Sequence, residues 1–102
     1  MNYNSHVLEV RQTAAFASWL AQLRDASARA RILVRIRRLE LGNPGDTKSV
    51  GEGVSELRVP YGPGYRVYFI RQGQEVVLLL CAGDKSSQSR DIATAKQMAK
   101  EL

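Results

Sequence analysis

Three observations in the sequence predict an α+β fold. An amphipathic helical pattern fills the N-terminal half, three apolar-rich runs joined by short Gly-containing turns follow, and a last helical pattern comes after them. Tyr3 to Val10 reads as a first strand on the strength of Val7, Leu8 and Val10. Phe16, Trp19, Leu20 and Leu23 then fall at i, i+3, i+4 and i+7, with Thr13 placed to cap the helix they define. Asp25 is placed to cap a second helix from Ala26 to Leu41, in which Ile32, Ile36 and Leu39 share one stripe while Arg24, Arg31, Arg35 and Arg38 share its neighbour.

Gly42-Asn43-Pro44-Gly45-Asp46 stops that helix and, with Gly51-Glu52-Gly53, predicts a loop over residues 42–53. Strands follow at Ser55–Pro60, Tyr65–Arg71 and Glu75–Ala82, joined through Tyr61-Gly62-Pro63-Gly64 and Gln72-Gly73-Gln74. Alternation puts Leu57 and Val59 opposite Glu56 and Arg58, and sets Val67 and Phe69 against Arg66, Tyr68 and Ile70. Val76 to Cys81 is apolar on both faces and belongs at the centre of a sheet. Ser89 is placed to cap a final helix carrying Ile92, Ala95, Ala99 and Leu102 on one side. The predicted order is β-α-α-β-β-β-α, an antiparallel sheet with two N-terminal helices on the face away from Arg58 and Arg66.

Composition bounds the function. A chain of 102 residues, 44% apolar and 25% charged, has the make-up of one folded domain over 1–102 and lies far from disorder. Cys81 has no second cysteine for an internal disulfide, and with His6 alone it cannot make a four-ligand zinc site. The longest apolar run, Val76 to Ala82, is too short for a spanning helix, and the first residues lack a signal-peptide pattern, so a cytoplasmic location is expected. The net charge is +5. Six arginines and one acid between Arg24 and Arg38 account for all of it, which points that segment toward a polyanion or an acidic protein.

Chemistry gathers on the meander. Arg58, Arg66, Tyr68 and Lys85 fall where one sheet face presents them together, with Tyr61 and Tyr65 flanking it, and cations beside flat rings suit single-stranded RNA. Gly62-Pro63-Gly64 lies between strands and precedes no helix, so it reads as a turn rather than a phosphate loop. Cys81 reads as a small core residue. Asp84 and Asp91 are placed to orient a cation or to cap the last helix.

Several stretches together resemble one family. Ile36-Arg37-Arg38-Leu39, Leu41 to Asp46, Gly-Glu-Gly-Val-Ser-Glu-Leu-Arg (51–58), Tyr-Gly-Pro-Gly-Tyr-Arg-Val-Tyr-Phe (61–69) and Gly-Asp-Lys-Ser-Ser-Gln (83–88), followed by Asp91-Ile92, are similar to the RelE/ParE superfamily of toxins. More narrowly, they resemble the HigB-like addiction module killer branch. The resemblance implies a RelE-like fold and the toxin of a type II toxin–antitoxin module, often an endoribonuclease that cleaves mRNA on the ribosome and is held inactive by a cognate antitoxin. That antitoxin is expected to be a small helix-turn-helix protein. By position, Arg58, Arg66 and Lys85 match the cationic residues of the second strand, the Gly-Tyr-Arg turn and the segment after the last strand. Glu56 stands where some RNA-cleaving members carry another Lys, and Asp91 stands where several carry a Tyr or His as acid or base.

Those residues outline a reaction that needs no metal or other cofactor. Arg66 and Arg58 would clamp the scissile phosphate as its adjacent 2′-hydroxyl attacks, Lys85 would act as the titrating group, and Tyr65 or Tyr68 would stack a base. The ParE side of the superfamily offers an alternative, since its members poison DNA gyrase without cleaving RNA. Arg31, Arg35 and Arg38 are open to two readings, contact with ribosomal RNA or docking of an acidic antitoxin segment.

Overall fold

The computed structural model describes residues 7–102. Thr13 starts the first helix as its spacing predicts: its Oγ1 accepts from Phe16 N at 3.1 Å and donates to Leu80 O at 2.6 Å, so one hydroxyl caps the helix and pins it to a strand 67 residues away. Strand β1 (Glu9–Gln12) leads into α1 (Ala14–Gln22) and α2 (Ala26–Glu40), the latter capped by Asp25 accepting from Ala28 N at 3.0 Å. Then come β2 (Thr47–Gly51), β3 (Val54–Val59), β4 (Tyr65–Gln72) and β5 (Val76–Asp84), a 3₁₀ turn at Lys85–Ser87, and α3 (Gln88–Lys100). His6 and the first four residues of the expected Tyr3–Val10 strand lie outside the described residues.

The sheet has five strands in the order β1-β5-β4-β3-β2. Two features correct the sequence reading. The sheet is mixed, because β1 pairs parallel to β5, Glu9 opposite Val76 through Gln12 opposite Leu79. The two-helix excursion carries the chain to the far edge, and the four-strand meander returns until β5 lies beside β1 in the same direction. Within the expected 42–53 loop, Thr47–Gly51 is a strand, and Gly51-Glu52-Gly53 is the turn of a β2–β3 hairpin. All three of those residues have positive φ, 101°, 55° and 82°, which explains the two glycines. As an edge strand, β2 exposes most of its polar side chains and so lacks an alternating apolar signal. The last helix also begins earlier than expected, with Ser87 rather than Ser89 at its N-cap position.

Both faces of the sheet are covered. On one, Phe16 of α1 and Ala28, Ile32 and Leu39 of α2 pack with Leu57, Val59, Val67, Phe69, Val77 and Leu79. On the other, α3 sets Ala95 with Ile92, Met98 and Ala99 against Val54, Tyr68, Leu80 and Cys81. The β4–β5 register shifts between Tyr68 and Phe69, paired with Cys81 and Leu79, so Leu80 is the extra residue and its carbonyl is left for Thr13. The double coverage accounts for the apolar character of β5. Among the described residues, no helix is long and apolar enough to cross a membrane.

Candidate functional site

Pairing of β3 with β4 puts Arg58 directly opposite Arg66, and two rungs along, on the same face, Glu56 lies opposite Tyr68. Two guanidinium groups on adjacent strands repel unless an acid lies between them. Glu56 supplies it. Its side chain is fully buried, Oε1 accepts from Arg58 Nε at 3.0 Å, and Oε2 accepts from Tyr68 OH and from Gln88 Nε2, both at 2.9 Å. Burial pushes the Glu56 carboxyl up, but the three donors and the nearby Arg66 charge outweigh it and hold its pKa below the ordinary value. Burial and the bond to Glu56 push the Tyr68 phenol well up. The bond to Glu56 likewise raises the pKa of Arg58.

Arg66 differs from Arg58. Its Nε and Nη1 are buried and find no hydrogen-bond partner among the described residues. Unspent donors of this kind cost stability. On its other side Arg66 pairs in register with Gly83. A Cβ at Gly83 would overlap Asp91 Oδ2 and lie 2.7 Å from Ser87 Oγ, so glycine lets the first turn of α3 settle onto the strand beside Arg66. Asp91 Oδ2 accepts from Ser87 Oγ at 2.5 Å. Lys85 follows in the 3₁₀ turn and is exposed. Asp84 caps that turn, accepting from Ser86 N at 2.8 Å, and its bonds to Ser86 hold its carboxyl below the ordinary range.

The fold thus gathers Arg58, Arg66, Lys85 and Asp91 at one end of the sheet, and separates the expected RNA-binding residues. Tyr68 is wholly inside and presents no ring face on which a base can stack, which corrects that expectation. Tyr65 points to the opposite face from Arg66, where Trp19 meets its ring at 6.0 Å and 71°. Trp19 and Tyr65 line a cleft of about 410 Å³ with Asp84, Arg90 and Asp91. Arg35 is occupied structurally: it donates to Arg58 O, to Pro44 O at 3.0 Å and to Asp46 O at 3.4 Å, tying α2 to the start and end of the loop it faces. Arg31, Arg38 and Tyr61 line a separate groove beside α2.

Glu56 and Gln88 were not among the residues expected to organise the site. Strand alternation already put Glu56 on the face of Arg58 and Tyr68, so its pairing was available in the pattern. Gln88 carries no such signal, since its reach depends on how α3 lies on the sheet.

A helical hairpin on one face of a five-stranded sheet is broadly the RelE/ParE type of fold. Over 78% of its length the chain matches 98% of a chain from the chromosomal ParDE TA system of P. aeruginosa, with a TM-score of 0.63 at 20% identity. Residues 18–100 match the family described as phage derived protein Gp49-like (DUF891). A Haemophilus influenzae protein described as uncharacterized is 50% identical over 95 residues, 93% of this chain and 96% of its own. The chain belongs to the Gp49-like family. That match carries no HigB designation, so the narrower branch rests on the motifs alone.

Proposed function

We propose that this chain is the toxin of a type II toxin–antitoxin module, held inactive by a cognate antitoxin, and that it is a metal-independent endoribonuclease of the HigB-like kind cleaving mRNA on the ribosome. Membership of the Gp49-like family and a fold shared with a chain of the ParDE system support the toxin reading. The observation that carries the nuclease reading is the pair Arg58 and Arg66, set opposite each other across β3 and β4 with Lys85 following β5. A phosphate oxygen is the acceptor a guanidinium fork fits best.

The reaction follows from these groups. The 2′-oxygen bonds to phosphorus as its proton passes to solvent water, the bond from phosphorus to the 5′-oxygen breaks, and a 2′,3′-cyclic phosphate and a free 5′-hydroxyl result. Arg66, with Arg58 beside it, meets the charge that builds on the nonbridging oxygens. Lys85 donates the proton that the departing 5′-oxygen requires. Arg66→Ala should abolish growth arrest while the protein stays folded and soluble; a folded variant that remains fully toxic would falsify the assignment.

A second reading, binding and poisoning of DNA gyrase without RNA cleavage, is favoured by the ParDE likeness and by the pairing of Arg58 with Glu56. Primer extension on messages from induced cells separates the two. Discrete codon-phased ends support cleavage on the ribosome, whereas intact messages with DNA breaks support gyrase poisoning.

A further inference from the structure

The cleft between the end of α1 and the start of α3 has two unlike walls. One is apolar, with the half-buried Trp19 beside Leu23, Tyr65 and Ala82, and the other is polar, formed by Asp84, Arg90 and Asp91. Its volume of about 410 Å³ lies in the range of small-ligand clefts and admits a heterocyclic base. The indole is held from two sides: Phe16 lies 6.1 Å away at 34°, and Tyr65 meets it edge-on at 6.0 Å and 71°. A ring fixed in this way offers a stacking surface whose ordering is already complete.

The polar wall is only partly used by the fold. Asp84 Oδ1 accepts from Ser86 N and Ser86 Oγ, and Asp91 Oδ2 accepts from Ser87 Oγ. The second oxygen of each carboxylate accepts no hydrogen bond from any described residue. Arg90 is exposed and makes no ion pair among the described residues. Carboxylates accept only and a guanidinium donates only, so the wall discriminates among bases. Of the four RNA bases, guanine alone carries three N–H bonds along one edge, at N1 and N2, with O6 and N7 as acceptors next to them. Adenine and cytosine have donors on one amino group, and uracil has one ring N–H. A cationic side chain would also suit the two acids, but it meets the Arg90 charge on the same wall.

The cleft adjoins the cations of the candidate site. Gly83, which lines it, pairs in register with Arg66, and Lys85 follows Asp84 directly. We propose that this cleft binds a guanine base of the RNA substrate, with Trp19 stacked on the ring, Asp84 and Asp91 accepting from N1 and N2, and Arg90 donating to O6 or N7. Bases drawn out of a stack are read in this manner, by an aromatic face and by hydrogen bonds to their edges. The inference rests on the nuclease reading for its substrate and adds a base preference, set by α1 and α3 rather than by the sheet face that carries Arg58 and Arg66.

Trp19 is the one tryptophan of the chain, so its indole N–H cross-peak in the isotope-labelled full chain reports directly on the cleft. Titration with the four nucleoside 3′-monophosphates should move that peak most with 3′-GMP, which should bind at least about tenfold more tightly than the other three. Asp84→Asn and Asp91→Asn each keep an acceptor for the local serine. Each should weaken 3′-GMP by about tenfold while the affinity for 3′-AMP and the remaining spectrum stay as they are. An equal response to all four nucleotides, an indole peak that none of them moves, or unchanged 3′-GMP binding in both variants would each overturn the proposal. Cleavage is not the readout. Guanine-selective binding by a chain that cuts no RNA would sink the nuclease reading and leave the cleft a guanine site, whereas cleavage without selective binding would sink the cleft alone.

Discussion

On the α1–α2 face, the sheet meets its helices through Leu57, Val59, Val67, Phe69, Val77 and Leu79, with Phe16 and Ile32 fully buried above them. On the α3 face, the apolar contacts of Val54, Tyr68, Leu80 and Cys81 stop at a buried carboxylate that holds an arginine, a tyrosine and a glutamine. The first face relies on non-directional burial, where shape and volume decide. The second relies on directional bonds around Glu56, which fix where α3 begins and how Arg58 lies beside Arg66. Stability and positioning are thereby divided between the two sides of one sheet.

Breaking the apolar side should cost the most. Phe16→Ala empties a fully buried ring position and should lower unfolding free energy by about 3–5 kcal/mol, measured by denaturant titration. Glu56→Ala should cost less, about 1–3 kcal/mol, chiefly because the buried Tyr68 hydroxyl loses its acceptor. Adding Tyr68→Phe should recover part of that loss, and a double-mutant cycle with no coupling would dissolve the contrast between the faces.

The smallest effect sharpens the comparison through pH. The folded pKa of Glu56 lies below its ordinary 4.5, so the unfolded chain takes up this proton at a higher pH than the folded chain does. Stabilisation by Glu56 is therefore complete above about 4.5 and is lost as the pH falls through the folded value. Between about 4.5 and the folded value, the melting temperature of the native chain should drop more steeply with falling pH than that of Glu56→Gln. Parallel acid profiles would show that the charge of Glu56 contributes nothing to the α3 face.

Much of the fold was legible because the responsible signals are local. Thr13 and Asp25 cap the helices they precede, and the Phe16, Trp19, Leu20 spacing marks the face that α1 buries or half-buries. The β3, β4 and β5 runs alternate or stay apolar as their neighbours demand. The parallel pairing of β1 with β5 was not legible, because nothing within Glu9–Gln12 specifies a partner 67 positions away. Strand β2 was hidden by its exposure at the edge. At the candidate site, strand period put Arg58 and Arg66 on one face, while the burial of Tyr68 depended on where α3 lands.

The parallel strand also sets an order of events. Residues Glu9–Gln12 are made before the helical hairpin, yet their partners Val76–Leu79 are made only after it and most of the meander. Among the described strands, β1 is made first yet is the last able to pair, and Thr13 must wait equally long for Leu80. Such distant closure slows folding relative to local pairing. A nascent chain halted before residue 76 holds β3 and β4 but has neither β5 nor the segment that carries Lys85, so this site cannot assemble until β5 has been made.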